Sequence, residues 1–324
     1  MAVGVTMLHR LSGYVATARD LRAGGVTWRS ILSYPILRRV RDRNELLLDD
    51  GRCLVSPRQE PLLTLFREVW VQRRYLPPEV AVTSTATIID IGANVGVFTV
   101  WAAALVPEGR VFAVEPARAM YASLQGNVAR NELSNVITIQ GAISHSGGRA
   151  VLFARGPGVL NTVFEADNYG SQFRKLEEVD TLSLDDLFAR CGIGRCALLK
   201  LDCEGSEYDI LLHASAATLE RIGAMAVEYH VGLNEHSPDT LRRFLTQNGF
   251  RCRVEPPQDV EGGYLYAWRD GPKGQLTRDW RVPLSCRRCS GVHECCLATS
   301  TVRRVPACVS RSGESALPSF PQIA

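Results

Sequence analysis

The sequence contains no run of 18 apolar residues free of charge, which argues against a helix long enough to span a bilayer. Its first twenty residues carry Arg10 and Arg19 and hold no continuous apolar stretch, so they do not read as a secretory signal. A surplus of one charge is also missing: 37 Lys and Arg against 34 Asp and Glu leave a net +3. A nucleic-acid binder would gather a larger basic excess on one face. Without an export signal, the ten cysteines are expected to be free thiols of a reducing compartment. The chain is therefore expected to be cytoplasmic, with no nucleic-acid and no membrane partner. Two phosphate signatures are absent too. There is no Gly-x-Gly-x-x-Gly after a strand and no Gly-Lys-Ser/Thr, the patterns by which backbone N–H groups cradle a pyrophosphate or triphosphate.

What is present divides the 324 residues into three zones. Residues 1–80 mix short helical patterns with arginines, and Asp49-Asp50-Gly51 between apolar runs marks a hairpin. Residues 81–270 alternate apolar strands with helical periods, the pattern of a doubly wound α/β, Rossmann-like sheet. Strands are expected at 87–91, 110–114, 136–140, 197–201 and 224–228, with a closing pair at 251–255 and 264–268. That pair, joined by a short turn, places one antiparallel strand on an otherwise parallel sheet. Ala142–Ser144 is expected to pair with Ala150–Phe153 across a turn at 145–148, and a short strand is expected at Glu178–Thr181. Residues 271–324 are rich in Cys, Arg, Ser, Pro and Gly without periodicity, and are expected to form a disordered tail. Within it, Cys286, Cys289, His293, Cys295 and Cys296 suggest zinc, but the gap between pairs is short and adjacent cysteines suit one tetrahedral ion poorly. No metal is expected there.

The sharpest signal is the run Asp90-Ile91-Gly92-Ala93-Asn94-Val95-Gly96. It follows an apolar strand and opens a helix, so it lies at the carboxyl edge of the sheet, where open α/β proteins bind ligands. Gly92 and Gly96 let the backbone turn tightly and approach a ligand closely. Glu115 ends the next strand about 20 residues on, the position from which an acid reaches ribose hydroxyls. Gly-x-x-x-Gly spacing without a basic residue suits a nucleoside lacking phosphate and carrying positive charge. That describes S-adenosylmethionine better than a nicotinamide dinucleotide.

Five stretches then stand in order: the glycine run through Thr99, Val114-Glu115-Pro116, Asp180-Thr181-Leu182, Lys200-Leu201-Asp202-Cys203-Glu204-Gly205-Ser206-Glu207, and Val227-Glu228-Tyr229-His230. Together they resemble the FkbM family of class I methyltransferases over residues 45–268. The resemblance implies an S-adenosylmethionine-dependent O-methyltransferase acting on a hydroxyl of a sugar, polyketide or related small metabolite, so the expected partner is a small-molecule or glycan acceptor. It leaves the oligomeric state open.

The cofactor is expected on Asp90, Gly92, Asn94, Gly96, Glu115 and Ala142, with Asp90 meeting its ammonium group and Ala142 its adenine edge. Asp202, Glu204 and His230 are expected to carry catalysis, with a neutral His230 taking the acceptor's proton. Glu207 and Asp209 read as first-turn acids behind a Ser206 cap. Lys200 reads as a charge paired with a neighbouring carboxylate, and Ser183 with Asp186 as a second capping pair. Two rivals stand beside this reading: a divalent cation on Asp202, Glu204 and Glu228, and an idle member that binds cofactor as a scaffold.

Overall fold

The computed structural model describes residues 17–155, 160–162, 173–231, 236–255 and 262–269. The expected tail with its cysteines lies outside these residues, as does most of the loop at 156–170.

The central sheet has seven strands: β3 (Thr87–Ile91), β4 (Arg110–Glu115), β5 (Val136–Gln140), β10 (Leu198–Leu201), β11 (Ala224–His230), β12 (Arg251–Val254) and β13 (Gly262–Trp268). Their spatial order is β12-β13-β11-β10-β3-β4-β5. β13 alone runs antiparallel to its neighbours β11 and β12. The sheet is therefore the doubly wound class I methyltransferase arrangement expected from the sequence. The inner strands read as continuous apolar runs because both faces are covered. Ile88 packs into the cluster on one face, while Ile89 and Ile91 pack into the cluster on the other. The chain winds outward from β3 through β4 to β5 and later returns to lay β10 on the other side of β3. The topological switch thus falls between β3 and β10, with Gly92 and Asp202 at its carboxyl edge.

Residues 17–80 share this core. The hairpin of β1 (Arg43–Leu47) and β2 (Cys53–Pro57) forms about the Asp-Gly turn, pairing Leu47 with Cys53. Its outer edge is closed by side chains of the helix Arg118–Arg130 and of Asn131, which caps the helix C-terminus. Asn127 exchanges two hydrogen bonds with the backbone of Val55, at 2.9 and 2.8 Å, and Asn131 does the same with Cys53 at 2.8 and 2.8 Å. Asn127 also donates to Val95 O at 2.7 Å, tying the hairpin to the glycine loop. Phe66, Trp70 and Tyr75 sit in one apolar cluster with Phe98 and Trp101.

A second sheet corrects one expectation. β6 (Ala142–Ser144) does not pair with β7 (Gly148–Arg155). Between them runs β9 (Phe173–Ser183), parallel to β6 and antiparallel to β7. Thr181 is the partner of both Ala142 and Gly148, and its hydroxyl donates to Ser146 O at 3.0 Å. β9 spans 11 residues where the sequence suggests four. Its charges, among them Arg174, Lys175 and Glu178, are exposed, and their polarity conceals the strand. Ser183 and Asp186 form the expected capping box. Among the described residues no helix is long and apolar enough to cross a membrane.

Candidate active site

A cavity of about 620 Å³, mouth included, opens at the carboxyl edge beside the switch point. Gly92, Asn94, Glu115, Ala142, Asp202 and Glu204 all line it, with Met120, Ile143 and Leu152 as apolar walls, and among the described residues the lining holds no Lys, Arg or His. Gly92 has φ +74°, and a Cβ there would stand 1.8 Å from Asp202 O, so only glycine lets the tips of β3 and β10 meet. Gly96, at φ +87°, starts the following helix but does not line the cavity. Asn94 adopts φ +50°, which turns its N–H onto Glu115 Oε2 at 2.8 Å. Glu115 accepts a second N–H from Ala117 at 2.9 Å. Burial still outweighs these bonds and pushes its carboxyl up to about 7.

Asp90, expected at the ligand, is fully enclosed and does not reach the cavity. Its carboxylate accepts from Thr99 Oγ1 at 2.6 Å and faces Lys200 Nζ at 3.0 Å. Lys200 is itself buried, lies 3.7 Å from Asp202 and donates to Gly92 O at 2.9 Å. Burial would strip its proton, but Asp90 and Asp202 outweigh that and raise its pKa. The pair braces the two strand tips from behind.

The structure places His230, expected to take the acceptor's proton, behind the cavity lining and between two carboxylates. Its Nδ1 lies 3.0 Å from Glu207 Oε1 and its Nε2 lies 3.2 Å from Glu204 Oε2. Burial favours the neutral ring, yet Glu207, Glu204 and Asp202 together push it up to about 10. Both ring nitrogens thus face carboxylates, an arrangement that favours the imidazolium over a ring with a free lone pair. Nor is Glu207 simply a first-turn acid. It is wholly buried and accepts the N–H groups of Cys203 and Gly205, both at 2.9 Å, as well as meeting the ring. Ser206 makes no capping bond. Asp209 keeps a structural role, receiving Ser144 Oγ and the His145 N–H at 3.0 Å each.

The carboxylates free to act are held by a residue the sequence did not single out. The Tyr75 hydroxyl lies 3.0 Å from Asp202 Oδ2 and in a short contact with Glu228 Oε2. A phenol donates one proton, so one of its two carboxylate contacts needs a proton of its own. Burial and the neighbouring Asp202 raise the Glu228 carboxyl, and burial also raises Glu204. Burial with Asp202 and Glu228 keeps Tyr75 protonated. Glu68, from the same N-terminal segment, is pushed up to about 7 by burial and Asp202. One oxygen each of Asp202 and Glu228 and one nitrogen of His230 lie within 4.8 Å of one another.

The model of the methyltransferase FkbM domain matches residues 90–252. The chain belongs to the FkbM methyltransferase family. The FkbM domain thus runs from Asp90, behind the glycine loop, to β12 and takes in every cavity acid named above. Among curated relatives, the FkbM enzyme of Streptomyces tacrolimicus, a 31-O-demethyl-FK506 methyltransferase, is 28% identical over 210 residues, 57% of this chain and 81% of the relative. The AMB antimetabolite synthetase AmbE of Pseudomonas aeruginosa is 25% identical over 260 residues, 67% of this chain but only 12% of that synthetase. The chain thus corresponds to a small part of one relative and to most of the other. A crystal structure of FkbM from Methylobacillus flagellatus aligns over 82% of this chain and 60% of its own, at 14% identity and TM-score 0.43.

Tyr75 and Glu68 precede the FkbM match. Glu68 lies in the helical stretch 62–71 and Tyr75 in the turn that follows, neither within a motif, so nothing local in the sequence marks them. The signal was there for Glu207, since its spacing from Glu204 sets both acids on one tight turn, but the turn reads equally well as an ordinary helix start.

Proposed function

We propose that this chain is an S-adenosylmethionine-dependent O-methyltransferase acting on a hydroxyl of a small metabolite or glycan. The observation that carries the reading is the cavity between Glu115 and Asp202, acidic and, among the described residues, free of basic side chains. The fit to this cofactor rests on more than charge sign. Asn94 Oδ1 and Ser206 Oγ line the cavity as buried polar atoms without a partner among the described residues, and a buried polar atom left unpaired is costly. Gly92, Asn94, Glu115 and Ala142 would hold the nucleoside, with Glu115 facing ribose hydroxyls. Bound there, S-adenosylmethionine supplies an electrophilic methyl group. The name of the Streptomyces tacrolimicus relative, which specifies an O-methyl position, supports transfer to oxygen.

The chain's own contribution is alignment and proton removal. Orienting two reactants can be worth up to about 7–11 kcal/mol. As the acceptor oxygen gains its methyl group it loses a proton, and Asp202, the only one of the Tyr75-linked carboxylates that lines the cavity, is placed to take it. Tyr75, held between Asp202 and Glu228, fixes the orientation of the Asp202 carboxylate. A positioned base of this kind contributes about 10²–10⁴-fold.

The clustering of Asp202, Glu228 and His230 favours one second reading, in which a divalent cation holds the acceptor oxygens. His230 would first have to leave Glu204. One assay separates the readings: methyl transfer to sugar and macrolide acceptors, run with EDTA and then with magnesium. Calorimetric titration with S-adenosylmethionine and with NAD tests the cofactor. Binding of NAD alone would refute the proposal, and cofactor binding with no transfer to any acceptor would favour the idle scaffold.

A further inference from the structure

The helix Trp28–Val40 is apolar on two sides. One side, with Ile31 and Tyr34, is buried in the core. The other presents Trp28, Leu32, Ile36 and Val40, exposed at 57%, 67%, 64% and 73%. Residues four apart stack into one ridge along a helix, so these four form a continuous stripe. Leu47, 39% exposed, lies beside the first turn, where its N–H donates to Ser30 Oγ at 3.1 Å. Only seven large apolar side chains are exposed among the described residues, and five of them are gathered here. Isolated exposed apolar residues need no explanation, but a contiguous patch does.

The charge around the stripe selects the partner. Arg29, Arg41 and Arg43 lie in or just after the helix, against Asp42 and Glu45. Arg29, Arg41 and Arg43 are exposed, and the last two share Glu45 at 3.3 and 3.5 Å. A second copy of the chain would bring this basic surplus against itself. The stripe is also too small for a dimer. Thirteen residues make a helix about 20 Å long, and a ridge about 10 Å wide offers roughly 200 Å². A stable interface needs about 800 Å² per partner. An anionic bilayer answers both points, because a helix lying in the headgroup plane needs only an apolar stripe and flanking cations.

We propose that the Trp28–Val40 helix is a peripheral docking surface for an anionic membrane, its apolar stripe entering the headgroup layer and its arginines meeting lipid phosphates. The absence of a spanning run, from which no membrane partner was expected, does not bear on a helix that lies in the interface. The arrangement would bring the methyltransferase to acceptors that are lipid-linked or made at a membrane.

The test is co-sedimentation of the full chain with phosphatidylcholine vesicles, with and without phosphatidylglycerol. Wild type should partition onto the anionic vesicles and be released by high salt. Leu32→Gln with Ile36→Gln should lower partitioning about ten-fold or more, the scale of losing two inserted apolar side chains, while the melting temperature holds because both side chains are already in solvent. Arg29→Glu with Arg41→Glu should abolish the preference for anionic vesicles. Equal sedimentation with both lipids, or with wild type and the glutamine variant, would overturn the proposal. So would a concentration-dependent dimer in light scattering that the glutamine variant dissociates, which would assign the stripe to a second copy.

Discussion

His230 Nδ1 stands 3.0 Å from Glu207 Oε1, a carboxylate wholly removed from solvent. The imidazolium is the counter-charge that makes this burial possible. Removing one member of a buried pair leaves the other unpaired and costs about 3–5 kcal/mol. His230→Ala should therefore lose about that much in chemical denaturation, whatever its effect on turnover. A variant with unchanged stability and impaired transfer would restore the histidine to the role of base.

Tyr75 offers the sharper test of proton removal. Tyr75→Phe keeps the ring among Phe98 and Tyr264 and deletes only the hydroxyl. Turnover should fall about 10²-fold, with Asp202→Asn falling at least as far and cofactor affinity nearly unchanged in both. Activity should survive EDTA. Loss of activity in EDTA with recovery in magnesium would instead give Asp202 and Glu228 to a cation.

Glu115 sets an expected pH dependence. Its carboxyl titrates near 7 in the folded chain against about 4.5 unfolded. Between those values the folded state binds more protons, so stability falls as pH rises from about 4.5 to about 7, by up to about 3 kcal/mol. Cofactor affinity should move the opposite way. Ribose hydroxyls donate to the ionised carboxylate, so binding tightens as pH rises through 7. Glu115→Gln should flatten both profiles, which melting curves and calorimetry across that range would register.

Two glycines of equally unusual backbone should respond differently to alanine. Gly51, at φ +90°, has nothing within 4 Å of the place a Cβ would take, so Gly51→Ala costs only conformational strain of about 1 kcal/mol. At Gly92 the same methyl meets Asp202 O at 1.8 Å. Gly92→Ala should force the tips of β3 and β10 apart and abolish cofactor binding, with a stability loss of more than about 3 kcal/mol. Retained cofactor binding by Gly92→Ala would show that the strand tips can separate without closing the cavity.

The parts of the fold legible in sequence were those whose signal is contiguous. β3, its glycine loop and Glu115 occupy 29 residues from Thr87 to Glu115, and local chemistry alone orders them. Where partners lie far apart, nothing local in the sequence announces them. Asp90 looked like a ligand acid because Lys200, its partner, is 110 positions away in the sequence. The proton-accepting role given to His230 missed Glu207, since two carboxylates converging on one ring are invisible until β11 and the turn after β10 are brought together. β6 and β7 looked like a hairpin because the strand that separates them arrives some thirty residues later.

The asparagine clasp on β2 has a consequence for motion. A two-stranded hairpin alone is marginal in water, and its amides would ordinarily exchange with solvent through local fraying. Here the N–H groups of Cys53 and Val55 are held by Asn131 and Asn127, which ride on a helix of the main core. Those two amide protons are released only when that helix lets go, so their deuterium exchange should slow towards the rate of global opening, well below that of Arg52 one residue away at the turn.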